Sequence, residues 1–396
     1  MLRSSIRRFV PWVGGVVLSA AFAAPARAMT VYEDKDHDRS FDIGFLIQPQ
    51  FSISKTEKLS APDGDPSYDF FLRRARLIAS GNFTKEISAY VDIDEPNWGK
   101  GGNWASDPPL IQDAILTWAP ERWITLDAGY QLVPFTHQGL EGAASLHMLD
   151  YRTDFLRYPQ YSGNVLRDVG VAVRGLFLDD LIYYRIGVFE GVRQSAVPAS
   201  TSGLGSASAP KLNEQGLPRV AGTVRVNLAG AEDKLFLGGI YFADKTMLSI
   251  GVSGDYQRHA VYVPSATGAG AVDDYWAVAG DVFFEHPLSP DDEVLAKAAF
   301  THVSQGAGAV STGNGGYAEA GFRHGLLEPV AAFEYWQADA NVQSRMAIEG
   351  GVNFWFKKHN ANVKLDFLWR RTQTPATNPT TTLDESLGTL QGQVFF

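Results

Sequence analysis

The stretch NVKLDFLWR, residues 362–370, has Val363, Leu365, Phe367 and Trp369 alternating with Asn362, Lys364, Asp366 and Arg370. Side chains of a strand point alternately to its two faces, so one face here is apolar and the other carries charge of both signs. A soluble sandwich seldom places such charges along a whole face of a core strand. A strand with lipid on one side and water on the other needs that arrangement.

Reading the same period of two outward from this stretch gives sixteen strands, near residues 41–53, 70–82, 86–94, 110–118, 123–132, 167–178, 181–190, 219–229, 246–258, 273–285, 293–303, 316–324, 328–337, 345–357, 361–371 and 387–396. An even number suits a closed antiparallel β-barrel. The connections alternate as such a barrel requires. Short links at 83–85, 119–122, 179–180 and 359–360 are separated by long ones at 54–69, 95–109, 133–166, 191–218, 259–272, 304–315 and 372–386. Residues 230–245 break the rule, being too long for a turn and partly apolar (Leu235, Phe236, Leu237, Ile240, Tyr241, Phe242), so an extra or shifted strand is an open alternative there.

The amino terminus carries Arg3, Arg7 and Arg8, an apolar run at 9–24 and Ala26-Arg27-Ala28, the pattern of a signal peptide cleaved near Ala28. The division expected is therefore 1–28 signal peptide, 29–40 a short N-terminal periplasmic segment and 41–396 the barrel. Removing the four arginines of 1–28 leaves 30 basic against 44 acidic residues, a net charge of −14, which argues against a nucleic-acid partner. Later apolar stretches are too short for a spanning helix, so a membrane passage takes the form of a closed barrel. With no cysteine, neither disulfides nor thiolate metal sites contribute. The 39 glycines and 12% aromatics fit strands that bend, pack closely and carry aromatic girdles.

Several segments in order, FLRRARL (71–77), QDAILTW (112–118), LDAGYQLVPF (126–135), RDVGV (167–171) and YRIGVFEG (184–191), resemble the phosphate-selective porin O/P family, most firmly over 68–191. The terminal strand LGTLQGQVFF (387–396) resembles the C-terminal sorting strand of Gram-negative outer-membrane proteins. The resemblance implies a homotrimer of sixteen-stranded passive pores in that membrane, in contact with lipid and lipopolysaccharide and passing small inorganic or organic ions such as phosphate. It also implies an inward-folded third outer loop, here 133–166.

That loop holds Asp150, Tyr151, Arg152, Asp154, Arg157 and Tyr158, which either set the width and field of a constriction or pin the loop to the wall. Arginine suits an anion path because its planar fork stays charged and matches oxyanions. Alternation puts Arg74 and Arg76 on one face and Arg73 on the other. With the first two in the lumen, Arg73 is expected at an interface or rim. Arg174, Arg225, Lys297, Lys364 and Arg370 are further inner-face candidates. Asp92, Asp94, Asp127, Asp281, Glu334, Glu349 and Asp366 are expected inward too, where they could neutralise the cations as cross-strand pairs. A general or cation-preferring pore, or a plugged structural or adhesive barrel, remain the alternatives.

No glycine-rich phosphate loop, GxSxG or HExxH occurs, and the eight histidines lack ligand spacing, so no catalytic residue, metal ligand or cofactor is assigned. The run DKDHD (34–38) reads as a solvated tail and the low-complexity 196–210 as an outer loop.

Overall fold

The computed structural model describes residues 29–58, 65–104, 109–156, 158–160, 162, 166–193, 195–196, 211–263, 270–307, 309–339, 342–375 and 381–396. The long strands are β1 (Arg39–Lys58), β2 (Ser67–Asn82), β3 (Ile87–Asp94), β4 (Leu110–Glu121), β5 (Ile124–Leu132), β6 (Arg167–Phe177), β7 (Ile182–Phe189) and β8 (Arg219–Ala229). They continue as β9 (Met247–Val263), β10 (Ala271–Pro287), β11 (Asp292–Ser304), β12 (Gly313–His324), β13 (Leu327–Ala338), β14 (Ser344–Trp355), β15 (Ala361–Thr374) and β16 (Thr381–Phe395). Each overlaps the strand its alternation predicts. Each is antiparallel to the next.

The sheet closes on itself. Strand β16 pairs with β1 through Leu390↔Phe51, Val394↔Ile47 and Phe395↔Leu46. Past the last ladder pair, Phe45 N–H donates to Phe396 O at 2.6 Å and Phe396 N–H to Phe45 O at 3.0 Å. Closure leaves no long unpaired edge, the condition for a sheet in lipid. Residues Met29–Asp34 add a short strand along the short-turn end of β1, and Ser195–Ala196 pairs with Lys211–Leu212.

Burial follows the alternation. Ile47, Leu77, Val171, Ile186, Val252, Ile348 and Leu365 are exposed on the outer face, while Gln48, Arg74, Asp92, Arg225, Glu334 and Lys364 are buried on the inner one. Aromatics ring the outside near both ends: Phe83, Trp118, Trp123, Phe177 and Phe356 beside the short turns, and Tyr68, Phe70, Tyr256 and Trp276 beside the long loops.

The alternation fails in one place that matters. In the β1–β2 ladder Gln48 faces Arg74 but Pro49 faces Leu72, so Arg73 has no partner in the register. Proline cannot donate to a ladder and is accommodated at such bulges. The bulge brings Arg73 round to the lumen beside Arg74, where both reach Asp150, so the rim position expected for Arg73 is incorrect.

Candidate pore constriction

Two segments fill much of the lumen. Residues 133–156 enter from the long-loop end, and 230–246 enter from the short-turn end. The inner wall from β10 to β14 is apolar where they dock: Phe155 and Leu156 pack on Ala299 and Tyr317, Met148 on Val330 and Ala332, and Ile240 and Phe242 on Phe283, Leu295 and Trp355. The apolar run in 230–245 is therefore a buried infold rather than an extra strand. Among the described residues its one ladder-like contact is an isolated bridge from Leu237 to Glu141. Leu237 N–H donates to Leu140 O at 2.8 Å and Gly142 N–H to Leu237 O at 2.9 Å, joining the two infolds by backbone. A Cβ on Gly239 would lie 2.7 Å from both His147 N and Ser145 O, so only glycine lets the segments approach so closely.

Ion pairs fix these infolds to the wall. Arg73 Nε and Arg74 Nη2 each donate to Asp150 at 2.8 Å, and Arg74 Nη1 donates to Gln48 at 2.8 Å. Arg152 bonds Glu349, and Asp154 receives Arg345 at 2.8 Å and lies 3.0 Å from Arg370 Nε. Lys297 Nζ donates to Glu141 at 2.9 Å and stands 2.8 Å from Glu319. Among the described residues no carboxylate lies within ion-pair distance of Lys364 Nζ. Instead it donates to the carbonyls of Leu146, His147 and Met148 at 2.6, 3.2 and 2.8 Å, holding three consecutive loop residues. Arg225 donates to Asp281 at 2.5 Å and to Ser249 at 2.7 Å, and Arg174 donates to Asp127 at 2.7 Å. Arg157 lies outside the described residues. Asp92, Asp94, Asp127, Asp281, Glu334, Glu349 and Asp366 are all buried on the inner face.

The histidines of the loop carry a role the sequence reading did not assign. His137 Nδ1 lies 2.9 Å from Glu141 and Nε2 lies 2.8 Å from Glu232, so the ring bridges the two infolds. Two carboxylate acceptors require two N–H donors, which only the imidazolium has. Burial alone would pull the His137 pKa down, but Glu232 and Glu141 outweigh it and raise it. His147 Nε2 lies 3.1 Å from Glu328, and Gly321 clears its space, since a Cβ there would meet Nε2 at 2.4 Å. Histidine four residues before glutamate (His137, Glu141) was the available sequence signal, but Glu232 is distant in the chain. Arg185, which donates to Leu235 O at 2.8 Å and to Gln131 at 2.9 Å, was likewise missed.

A cavity of about 290 Å³ lies between the infolds and the wall on the β1–β6 side. Arg76, Asp92, Asp113, Arg167 and Lys234 line it, with Leu46, Ile78, Tyr90, Phe236 and Phe395. Arg76 donates to Asp94 and Asp92 at 2.9 Å each, and Arg167 grips Asp113 through Nε at 3.1 Å and Nη2 at 2.9 Å. The carboxylates lie behind their partners: Asp92, Asp94 and Asp113 keep 1% side-chain exposure, against 9% for Arg76 and 11% for Arg167. Lys234 is exposed, its Nζ 5.7 Å from the centre of the Tyr241 ring. The cations are thus somewhat less buried than the carboxylates they pair with.

A closed sixteen-stranded barrel, apolar and aromatic-girdled outside and charged within, defines an outer-membrane channel protein of the porin type. The family model for phosphate-selective porin O and P matches residues 56–396, and the chain belongs to that family. The match runs through 200–380, where the resemblance in sequence is diffuse. No curated protein matches the chain. Among solved structures it is similar to the outer membrane channel DcaP of Acinetobacter baumannii (11% identity, 92% of this chain and 99% of that one, TM-score 0.59). It is similar too to OprB of Pseudomonas putida (9%, 89% and 94%, 0.58) and to an anion-selective porin from Comamonas acidovorans (11%, 90% and 99%, 0.52). At these identities the likeness is one of fold.

Proposed function

We propose that the protein is a passive, water-filled diffusion channel that prefers small anions, phosphate among them, working as a homotrimer in lipid and lipopolysaccharide after cleavage near Ala28. The observation that supports the preference is the order of burial in the remaining opening. Arg76 and Arg167 keep somewhat more side-chain exposure than Asp92 and Asp113, which pair with them, and Lys234 is exposed. Fixed charge at a narrow point sets ion preference. Arg74, Arg152, Arg174, Arg225, Lys297, Lys364 and Arg370 support this reading by holding the infolds and the wall, Arg76 by facing the opening. In planar bilayers under a salt gradient the purified protein should give a reversal potential of the anion-selective sign, and a cation-selective sign defeats the reading. A plugged scaffold is the second reading, favoured by the pinning of both infolds. An electrically silent barrel decides for it.

A further inference from the structure

We propose that the opening between the β1–β6 wall and the two infolds is a binding site for small organic carboxylates with a flat apolar body, aromatic carboxylates above all. This deepens the anion reading and rests on it. Three donors face the opening unclaimed among the described residues. Arg76 spends Nε and Nη1 on Asp94 and Asp92, leaving Nη2. Arg167 spends Nε and Nη2 on Asp113, leaving Nη1, and Lys234 has a ring rather than a carboxylate beside it.

The rest of the lining does not suit a compact oxyanion. Ile78 and Tyr90 occupy the next inward positions after Arg76 and Asp92 toward the short-turn end, about 7 Å further down the strands. Phe236 reaches in from the infold to meet Tyr90 edge-on, with ring centres 5.3 Å apart. An anion polar on every side would present oxygens to carbon surface there, losing water without gaining a partner. An aromatic carboxylate instead sets its oxygens on the guanidinium ends and its ring on Ile78, Tyr90 and Phe236. That offset is about the length of a benzoate ion. A second observation also points to a ligand: Asp92, which lines the opening, has a buried Oδ1 without a hydrogen-bond donor among the described residues.

The test is chloride current through the full-length protein in a planar bilayer, with benzoate, acetate or phosphate added to the short-turn side. Benzoate should block at a concentration roughly tenfold below acetate, the difference being the apolar ring area removed from water. Phe236→Ala should bring benzoate to the level of acetate, read as the ratio of the two blocking concentrations within the same variant. Phe236→Leu, which keeps apolar volume, should retain part of the difference and serves if the alanine variant fails to fold. Equal block by benzoate and acetate, or tightest block by phosphate, overturns this inference and leaves the anion channel standing. A cation-selective or silent barrel overturns both.

Discussion

Replacing Asp150 with asparagine tests whether lumen charge, rather than loop shape, sets ion preference. Its carboxylate accepts from Arg73 Nε and Arg74 Nη2 at 2.8 Å each and from Tyr151 N–H at 2.9 Å. Burial would push this carboxyl up, but Arg74 and Arg73 overcome it and hold it well below the usual carboxylate range, so it is ionised at any working pH. Asparagine keeps an acceptor oxygen and removes the charge, leaving the lumen one unit more positive. At about 7 Å through water a unit charge is worth about 0.6 kcal/mol to a passing ion. Screening over a Debye length of about 8 Å reduces this to roughly 0.25 kcal/mol at physiological salt. The effect has opposite sign for anions and cations, so the anion-to-cation permeability ratio should rise about twofold at that salt and approach eightfold as salt is diluted. Reversal potentials at two salt concentrations measure it. Asp150→Glu, with the charge retained, should match the wild type. An unchanged ratio in Asp150→Asn, or an equal shift in Asp150→Glu, refutes the reasoning.

The raised pKa of His137 means that its bridge contributes fully below the ordinary histidine range and is lost as pH rises through the raised value. Hydrogen-exchange protection of 133–156 and 230–246 should fall from mildly acidic to alkaline pH, and His137→Gln should flatten that dependence. Lys364→Met leaves the carbonyls of Leu146, His147 and Met148 without their donor. At about 1–3 kcal/mol for an unsatisfied buried group, exchange there should quicken roughly tenfold to a hundredfold while the barrel's melting temperature changes little. Deleting residues 394–396 removes the two Phe45–Phe396 bonds and the Val394↔Ile47 and Phe395↔Leu46 pairs, so less protein should reach the heat-modifiable folded form. The sign of ion preference should persist in the barrels that do insert.

The wall was legible because its code is local. Lys364 and Asp366 lie inward and Leu365 and Phe367 outward, as their alternation requires. The failure at Arg73 had a local sign too, in Pro49, but it stands on the neighbouring strand and counts only once the register is known. The infold at 230–246 was visible as an anomaly and could not be interpreted. Its apolar residues pack on Phe283, Leu295 and Trp355, which face inward on strands that also carry Asp281, Glu285, Lys297 and Glu349 inward. Likewise, inward aspartates and arginines were readable, but not which of them would stand in front of the other.

By itself, the sequence determined a closed membrane-spanning barrel of about sixteen strands, with the count left open at 230–245, and the face on which most charges stand. Those follow from a two-residue period and from the need to pair every backbone group in lipid. Only the tertiary structure decided that two infolds meet in the lumen, that His137 joins them, and that Arg76, Arg167 and Lys234 face the opening that remains. These depend on contacts between residues far apart in sequence, such as His137 with Glu232 and Lys364 with Leu146, and no periodicity encodes them.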